Sequence, residues 1–218
     1  VFSGGALAAG GAMFGMSGLE LLSTQKLQLV DALSPLHAGL IISAMALSAI
    51  PTSILGGATL HRLGFLPLIS GGFLLMATGM TLLLATRGET LALLVVALVL
   101  TGLGAGLAMS VSSTAIINAA PLHRTGMAAG VEAVSYEFGT LISIALTGTL
   151  VPLLMARELP PHLAELGTDA LHHPASHATA ASAYNAGYLS TIGGLACFAL
   201  LLAAITAWCF RDNPKSGD

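Results

Sequence analysis

Residues 128–150, AAGVEAVSYEFGTLISIALTGTL, form an apolar run long enough to cross a bilayer, yet they carry two carboxylates, Glu132 and Glu137. About 20 mostly apolar residues suffice to span the hydrocarbon core, where every backbone polar group must be satisfied internally. A helix meets that demand within one segment, and no strand-like alternation recurs at the spacing a membrane barrel would need. A charged side chain at the membrane centre costs roughly 2.5–3.5 kcal/mol even on the mildest scale, so such residues face a bundle interior or a watery cavity and mark a pathway for an ion, a proton or a substrate. This run is therefore expected to be the working helix and the other apolar runs its scaffold.

Those other runs recur along the chain. The expected spans are residues 3–23, 35–60, 65–85, 90–114, 126–150 and 183–210. The chain is 55% hydrophobic and 8% charged, with a mean hydropathy of +0.89, whereas a soluble domain carries about 25% charged residues. Such a composition excludes a soluble enzyme. With no basic run and no zinc-finger spacing, it gives no sign of nucleic-acid binding either. The expected class is an all-α membrane protein of six transmembrane helices, with the lipid bilayer as its first partner.

Between the spans the sequence reads as punctuation. Residues 25–33 suit a helix extension or an interfacial segment, with Lys26 and Asp31 in the headgroup zone. Pro35 suits a first helical turn, and Pro51 is expected to kink its helix. Residues 116–125 read as a loop, Pro152 as the stop of the fifth span, and residues 156–182 as a long polar loop. An even number of spans puts both ends on one side. Arg62, Arg124, Arg211 and Lys215 then share that side, against Lys26, Arg87 and Arg157 on the other. That bias places both ends in the cytoplasm and the long loop outside. The first residue is Val1, inside an apolar run, which reads as a piece of a longer protein.

Glu137 lies about 16 Å along a helix that begins near Gly126, and Glu132 about 7.5 Å nearer its start. Five residues at 100° each set them about 140° apart, on different faces. A carboxylate in low dielectric holds a proton more readily than in water, and its anion can hold a cation. Competition between the two for one carboxylate is a sufficient basis for exchange. Tyr136 stands beside them as a hydrogen-bond partner, a cavity wall or simply a packed aromatic. Glu20, near the end of the first span, reads as a gate or an interfacial residue. His173 and His177 have i,i+4 spacing, but no Cys accompanies them and Pro174 interrupts the run, so a solvated loop is expected and no metal site. No Walker A motif, nucleophile elbow or H-E-x-x-H is present. Cys197 and Cys209 would lie about 18 Å apart on one helix, beyond the reach of a disulfide.

Two stretches carry a family resemblance: LQLVDALSPLHAGL at residues 27–40 and PLHRTGMAAGVEAVSYEFGTLISIALTGTL at residues 121–150. The chain resembles the C-terminal six-helix half of a major facilitator superfamily transporter, and more narrowly the fourteen-helix drug:proton antiporters that export quaternary ammonium compounds and methyl viologen. In that family the second stretch is the penultimate helix, whose acidic residues serve drug and proton; Glu132, Tyr136, Glu137 and Gly139 match its pattern. The superfamily's cytoplasmic loop motif survives in part within GATLHRLGFL at residues 57–66. Gly57, Arg62 and Gly64 match, while His61 replaces the acidic residue, and Phe65 and Leu66 replace a basic pair. The resemblance implies proton-coupled efflux of lipophilic cations by alternating access, in the inner membrane. It would be driven by the proton gradient without a cofactor, and completed by an N-terminal half outside this sequence. Glu137 is the first choice for the proton- or cation-binding carboxylate and Glu132 the second. The alternatives are a superfamily transporter of another small solute, or a truncated membrane piece that does not transport.

Overall fold

A computed structural model describes residues 2–87, 90–173 and 175–210 of the chain, and among these it contains helices and turns but no strand. Helix α1 (Phe2–Gln25) continues into a widened turn of π-type geometry, Lys26–Val30. Then come α2 (Pro35–Leu63), α3 (Phe65–Ala85) and α4 (Leu91–Asn118). A 3-10 turn, Leu122–Arg124, leads into α5 (Thr125–Glu158). The short α6 (Pro161–Ala164) and a second 3-10 turn, Gly167–His172, precede α7 (His177–Phe210). Six of these helices, all but α6, are long and apolar enough to cross a membrane.

Local chemistry sets several of the boundaries. Ser34 caps α2: its Oγ accepts the His37 N–H and Pro35 fills the first helical position, where no N–H is needed. Gly64 closes α2 at φ +80°, a conformation that side chains disfavour, and its N–H bonds the Leu60 carbonyl at 2.8 Å. It is the single residue between α2 and α3. Pro51 sits inside an α2 that stays continuous on both sides.

The helices are arranged as two triplets, α1–α2–α3 and α4–α5–α7, with matching partners. α2 packs along α4 as α5 packs along α1; α3 lies on α4 and α7 on α1; the first members meet each other, as do the last. The symmetry is imperfect, since α7 also packs on α5 while α3 and α2 meet little. This internal repeat is of the kind built into transporters, and it is not evident in the sequence because the triplets share packing rather than residues.

Small residues make the close seams possible. A Cβ on Gly102 or Gly106 of α4 would collide with the Met45 or Ala49 carbonyl of α2, and one on Gly139 of α5 with the Gly10 carbonyl of α1. Hydroxyls then tie each seam in both directions. Ser48 on α2 donates to the Val99 carbonyl at 3.1 Å, and Ser110 on α4 answers to the Ser53 carbonyl at 2.7 Å. Ser143 on α5 donates to the Phe14 carbonyl at 2.6 Å, and Ser17 on α1 reaches Thr140 Oγ1 at 3.4 Å. Glycines and hydroxyls of this kind hold membrane helices together where lipid removes the hydrophobic drive.

The structure corrects several expected boundaries. The fifth span does not stop near residue 150: α5 runs through Pro152 to Glu158. Proline removes one N–H, but Val151 and Met155 on either side are fully buried in the largest core cluster, so continuing the helix gains apolar contact. The sixth span begins at His177 rather than 183, because Ala180, Ala183 and Tyr184 pack into the same cluster. The expected long loop at 156–182 is thereby shortened from both ends and folded into α6 and a 3-10 turn, with Ala170 and Leu171 buried. Within 116–125, α4 extends to Asn118 and α5 starts at Thr125.

Large apolar side chains are exposed chiefly on α2 and α5, among them Leu36, Leu40, Leu47 and Ile54 on α2, and Phe138, Leu141 and Leu153 on α5. Only 17% of the apolar stretch of α2 and 28% of that of α5 are buried within the chain, against 56% for α1. Apolar faces of this extent suit lipid or further helices rather than water.

Candidate functional site

α5 presents its polar residues on different sides. Gly139, Ser143, Thr147, Val151 and Met155 are buried and form the stripe that packs inward, mostly at four-residue intervals. Glu132 and Tyr136 are also four apart, so their side chains meet on the helix surface. The Tyr136 hydroxyl donates to Glu132 Oε1 at 3.0 Å. Both are half-buried. The Tyr136 ring packs against the small cluster of Ala9 from α1, Ile116 from α4 and Ala128 from α5. Its hydroxyl also lies 3.5 Å from the Met109 carbonyl of α4.

Glu137 is on another face. It is exposed, next to Phe138, which is 61% exposed. The structure thus brings Glu132 and Tyr136 together and leaves Glu137 apart, in line with the angular separation expected from the helical repeat. Glu20 is exposed on α1, one turn beyond the buried Ser17. The loop-motif residues divide by role. Gly64 supplies the turn between α2 and α3, Arg62 is exposed in the last turn of α2, and Gly57 has room beside it, with Ser110 Oγ 3.9 Å from where a Cβ would stand. Among the described residues no group of His, Cys, Asp and Glu could hold a metal ion.

A second polar group was not expected. Lys26, placed by the sequence in the headgroup zone, is only 6% exposed. Its Nζ lies 3.3 Å from Asp31 Oδ2 and 5.8 Å from the centroid of the Tyr188 ring, which offers the ammonium a cation–π contact. Tyr184, one turn away on α7, donates to Gln25 Oε1 at 3.4 Å. Together these contacts fasten the widened end of α1 to α7. The only signal in the sequence was a lysine within the apolar QKLQLV; its tyrosine partner is more than 150 residues away.

Chemically, the Glu132–Tyr136 pair is a carboxylate held by a neutral donor, half-covered, on a helix that can span a membrane. As an anion it can hold a proton or a cation, and the phenol fixes where it points.

Known proteins resemble the chain over most of its length. The family model described as "Sugar (and other) transporter" matches residues 11–151. The multidrug resistance protein Stp of Mycobacterium tuberculosis is 31% identical over 150 residues, covering 69% of this chain and 28% of Stp. The methyl viologen resistance protein SmvA of Salmonella typhimurium is 33% identical over 141 residues, covering 64% of this chain and 28% of SmvA. The multidrug efflux pump LfrA of Mycolicibacterium smegmatis is 28% identical across 91% of this chain and 44% of LfrA. The chain spans less than half the length of these relatives. A six-helix unit with paired seams, an acid-bearing fifth spanning helix and a family match covering more than half of its residues lead to one assignment: the chain belongs to the major facilitator superfamily of transporters.

Proposed function

We propose that this chain is the C-terminal six-helix half of a secondary transporter that expels lipophilic cations in exchange for protons. In this reading an N-terminal half completes it, the proton gradient supplies the energy, no cofactor is needed, and both ends of the chain lie on the cytoplasmic side of the inner membrane. The observation that carries the reading is the Tyr136-held carboxylate of Glu132 on a spanning helix, 3.0 Å from its donor. Support comes from the likeness to efflux proteins and from the triplet repeat, which suits rocking of one half against another around a midplane site. Glu132 then alternates between proton and cation. Glu137, the first choice from the sequence, is exposed on another face of α5 and stands second in this reading because no partner is seen to hold it among the described residues.

The test is efflux of a fluorescent lipophilic cation from vesicles carrying the complete transporter, with and without a proton gradient. Efflux that depends on the gradient, and that Glu137→Gln and Glu132→Gln each reduce at unchanged expression, is the expected result. Gradient-independent behaviour, or full activity in both variants, would sink the reading.

A second reading has its own support, because the family model that matches is one for sugar and other transporters. A panel of neutral, anionic and cationic solutes separates the two: a neutral or anionic solute moved in preference to aromatic cations would select another small solute.

A further inference from the structure

The Tyr136 hydroxyl has one proton and acceptors on two different helices, Glu132 on α5 and the Met109 carbonyl and Ser112 hydroxyl on α4. Glu132 Oε1 on α5 is 3.0 Å away, and the Met109 carbonyl on α4 is 3.5 Å away. The first distance is that of an ordinary hydrogen bond; the second is at the outer limit. The Met109 carbonyl already accepts the Ser113 N–H within α4 and Ser112 Oγ at 3.0 Å, so the phenol shares it with Ser112, whose hydroxyl itself stands beside the phenol oxygen. The Tyr136 ring is wedged among Ala9, Ile116 and Ala128. Its oxygen is therefore held in place, and only the O–H bond has to turn.

Which acceptor takes the proton depends on Glu132. An anionic carboxylate is the stronger acceptor and holds the phenol on α5. When Glu132 takes up a proton from water, its carboxyl becomes a donor. It can then donate to the phenol oxygen, and the phenol proton is released toward α4. No other charge stands at this point among the described residues. α4 contains no titratable side chain, and α1 offers only Glu20, which is exposed about 16 Å further along. His123 and Arg124 before α5 are exposed, and Glu137 is on another face. Asp169, His172, His177, Tyr184 and Tyr188 belong to segments that pack around Val151 and Met155, toward the other end of α5.

We propose that Tyr136 is a positioning residue that couples the protonation of Glu132 to the contact between α4 and α5. With Glu132 anionic, the phenol is satisfied within α5. With Glu132 protonated, the phenol turns to the Ser112 hydroxyl and the Met109 carbonyl it is bonded to, and draws α5 onto α4, a helix of the other seam. The inference rests on Glu132 being the group that takes the proton.

Difference infrared spectra of the complete transporter in lipid, recorded while the pH is lowered from about 9 to about 4, test this. In the wild type, a protonated-carboxyl band that is missing in Glu132→Gln should appear together with a shift of a tyrosine C–O band. In Tyr136→Phe that tyrosine shift should vanish. The Glu132 carboxyl band should remain. A carboxyl band without any tyrosine shift in the wild type overturns the proposal, as does a tyrosine shift that survives in Tyr136→Phe, or no Glu132 band at all. The wild-type spectrum decides even where Tyr136→Phe does not fold. Efflux measured in parallel separates the two readings: coupled bands without proton-driven efflux would leave the coupling standing and remove the antiport function.

Discussion

The α2–α4 and α1–α5 seams are built alike, yet only one of them carries acid. Both use glycines that let backbones touch and serines that donate across to a partner carbonyl: Ser48 to Val99 in one, Ser143 to Phe14 in the other. With Ser48 laid on Ser143, Glu137 falls on Ile42 and Glu132 on His37. Ile42 is buried, and His37 pairs with Ser34 Oγ at 2.7 Å at the start of α2. The packing is repeated and the chemistry is not. Closeness of the helices therefore belongs to the fold, and the carboxylates of α5 are additions that packing does not require.

If the two seams are mechanically equal, blocking either should do equal harm. Gly139→Val and Gly106→Val each drive a side chain into a partner's backbone and should cost about 3 kcal/mol or prevent folding. Gly130→Ala, beside open space within α5, should not destabilise and should raise stability by up to about 1 kcal/mol. Thermal unfolding in detergent measures all three, and a mild Gly106→Val beside a ruinous Gly139→Val would break the equivalence.

Charge should separate the seams by function. Glu132→Gln is expected to lower proton-driven efflux by at least about tenfold, whereas His37→Gln, at the corresponding place on α2, should leave it near the wild-type rate. Vesicle efflux rates at matched expression decide between them.

The fastening at the end of α1 predicts an asymmetry within one ion pair. Asp31→Asn removes the carboxylate beside the buried Lys26 and should lower stability by about 1–3 kcal/mol, less than for a fully buried pair because Asp31 is 39% exposed. Lys26→Met leaves an aspartate that can reach water and should cost less. Equal losses in denaturation of the two variants would argue that packing, not charge, holds this end.

The smallest effects concern single contacts. Ser48→Ala and Ser143→Ala should each cost about 0.6 kcal/mol, similar in the two seams. Ala32 adopts φ +51° after the widened turn, a region that penalises a Cβ. Ala32→Gly should therefore raise stability by roughly 0.5–1 kcal/mol, read as a higher unfolding temperature.

The membrane class and the spanning helices were legible because apolar runs of such length leave the backbone few choices. The Glu132–Tyr136 contact was legible in principle from its four-residue spacing. The end of α5 was not, because a rule for proline drawn from isolated helices ignores the burial of Val151 and Met155 around Pro152. Nor was the environment of Lys26, since no local pattern announces that Tyr188 will cover it. The paired seams escaped for a related reason: they depend on which glycine meets which carbonyl, and that is fixed only when distant helices come together.

The single-residue joint at Gly64 has a consequence for any rocking motion. With no slack between them, the joined ends of α2 and α3 cannot slide past one another or move apart. A push delivered along α2 must reappear in α3, and α3 lies against both α4 and α7. Movement at one rim of the unit would thereby be passed on through the joined ends rather than absorbed in a loop.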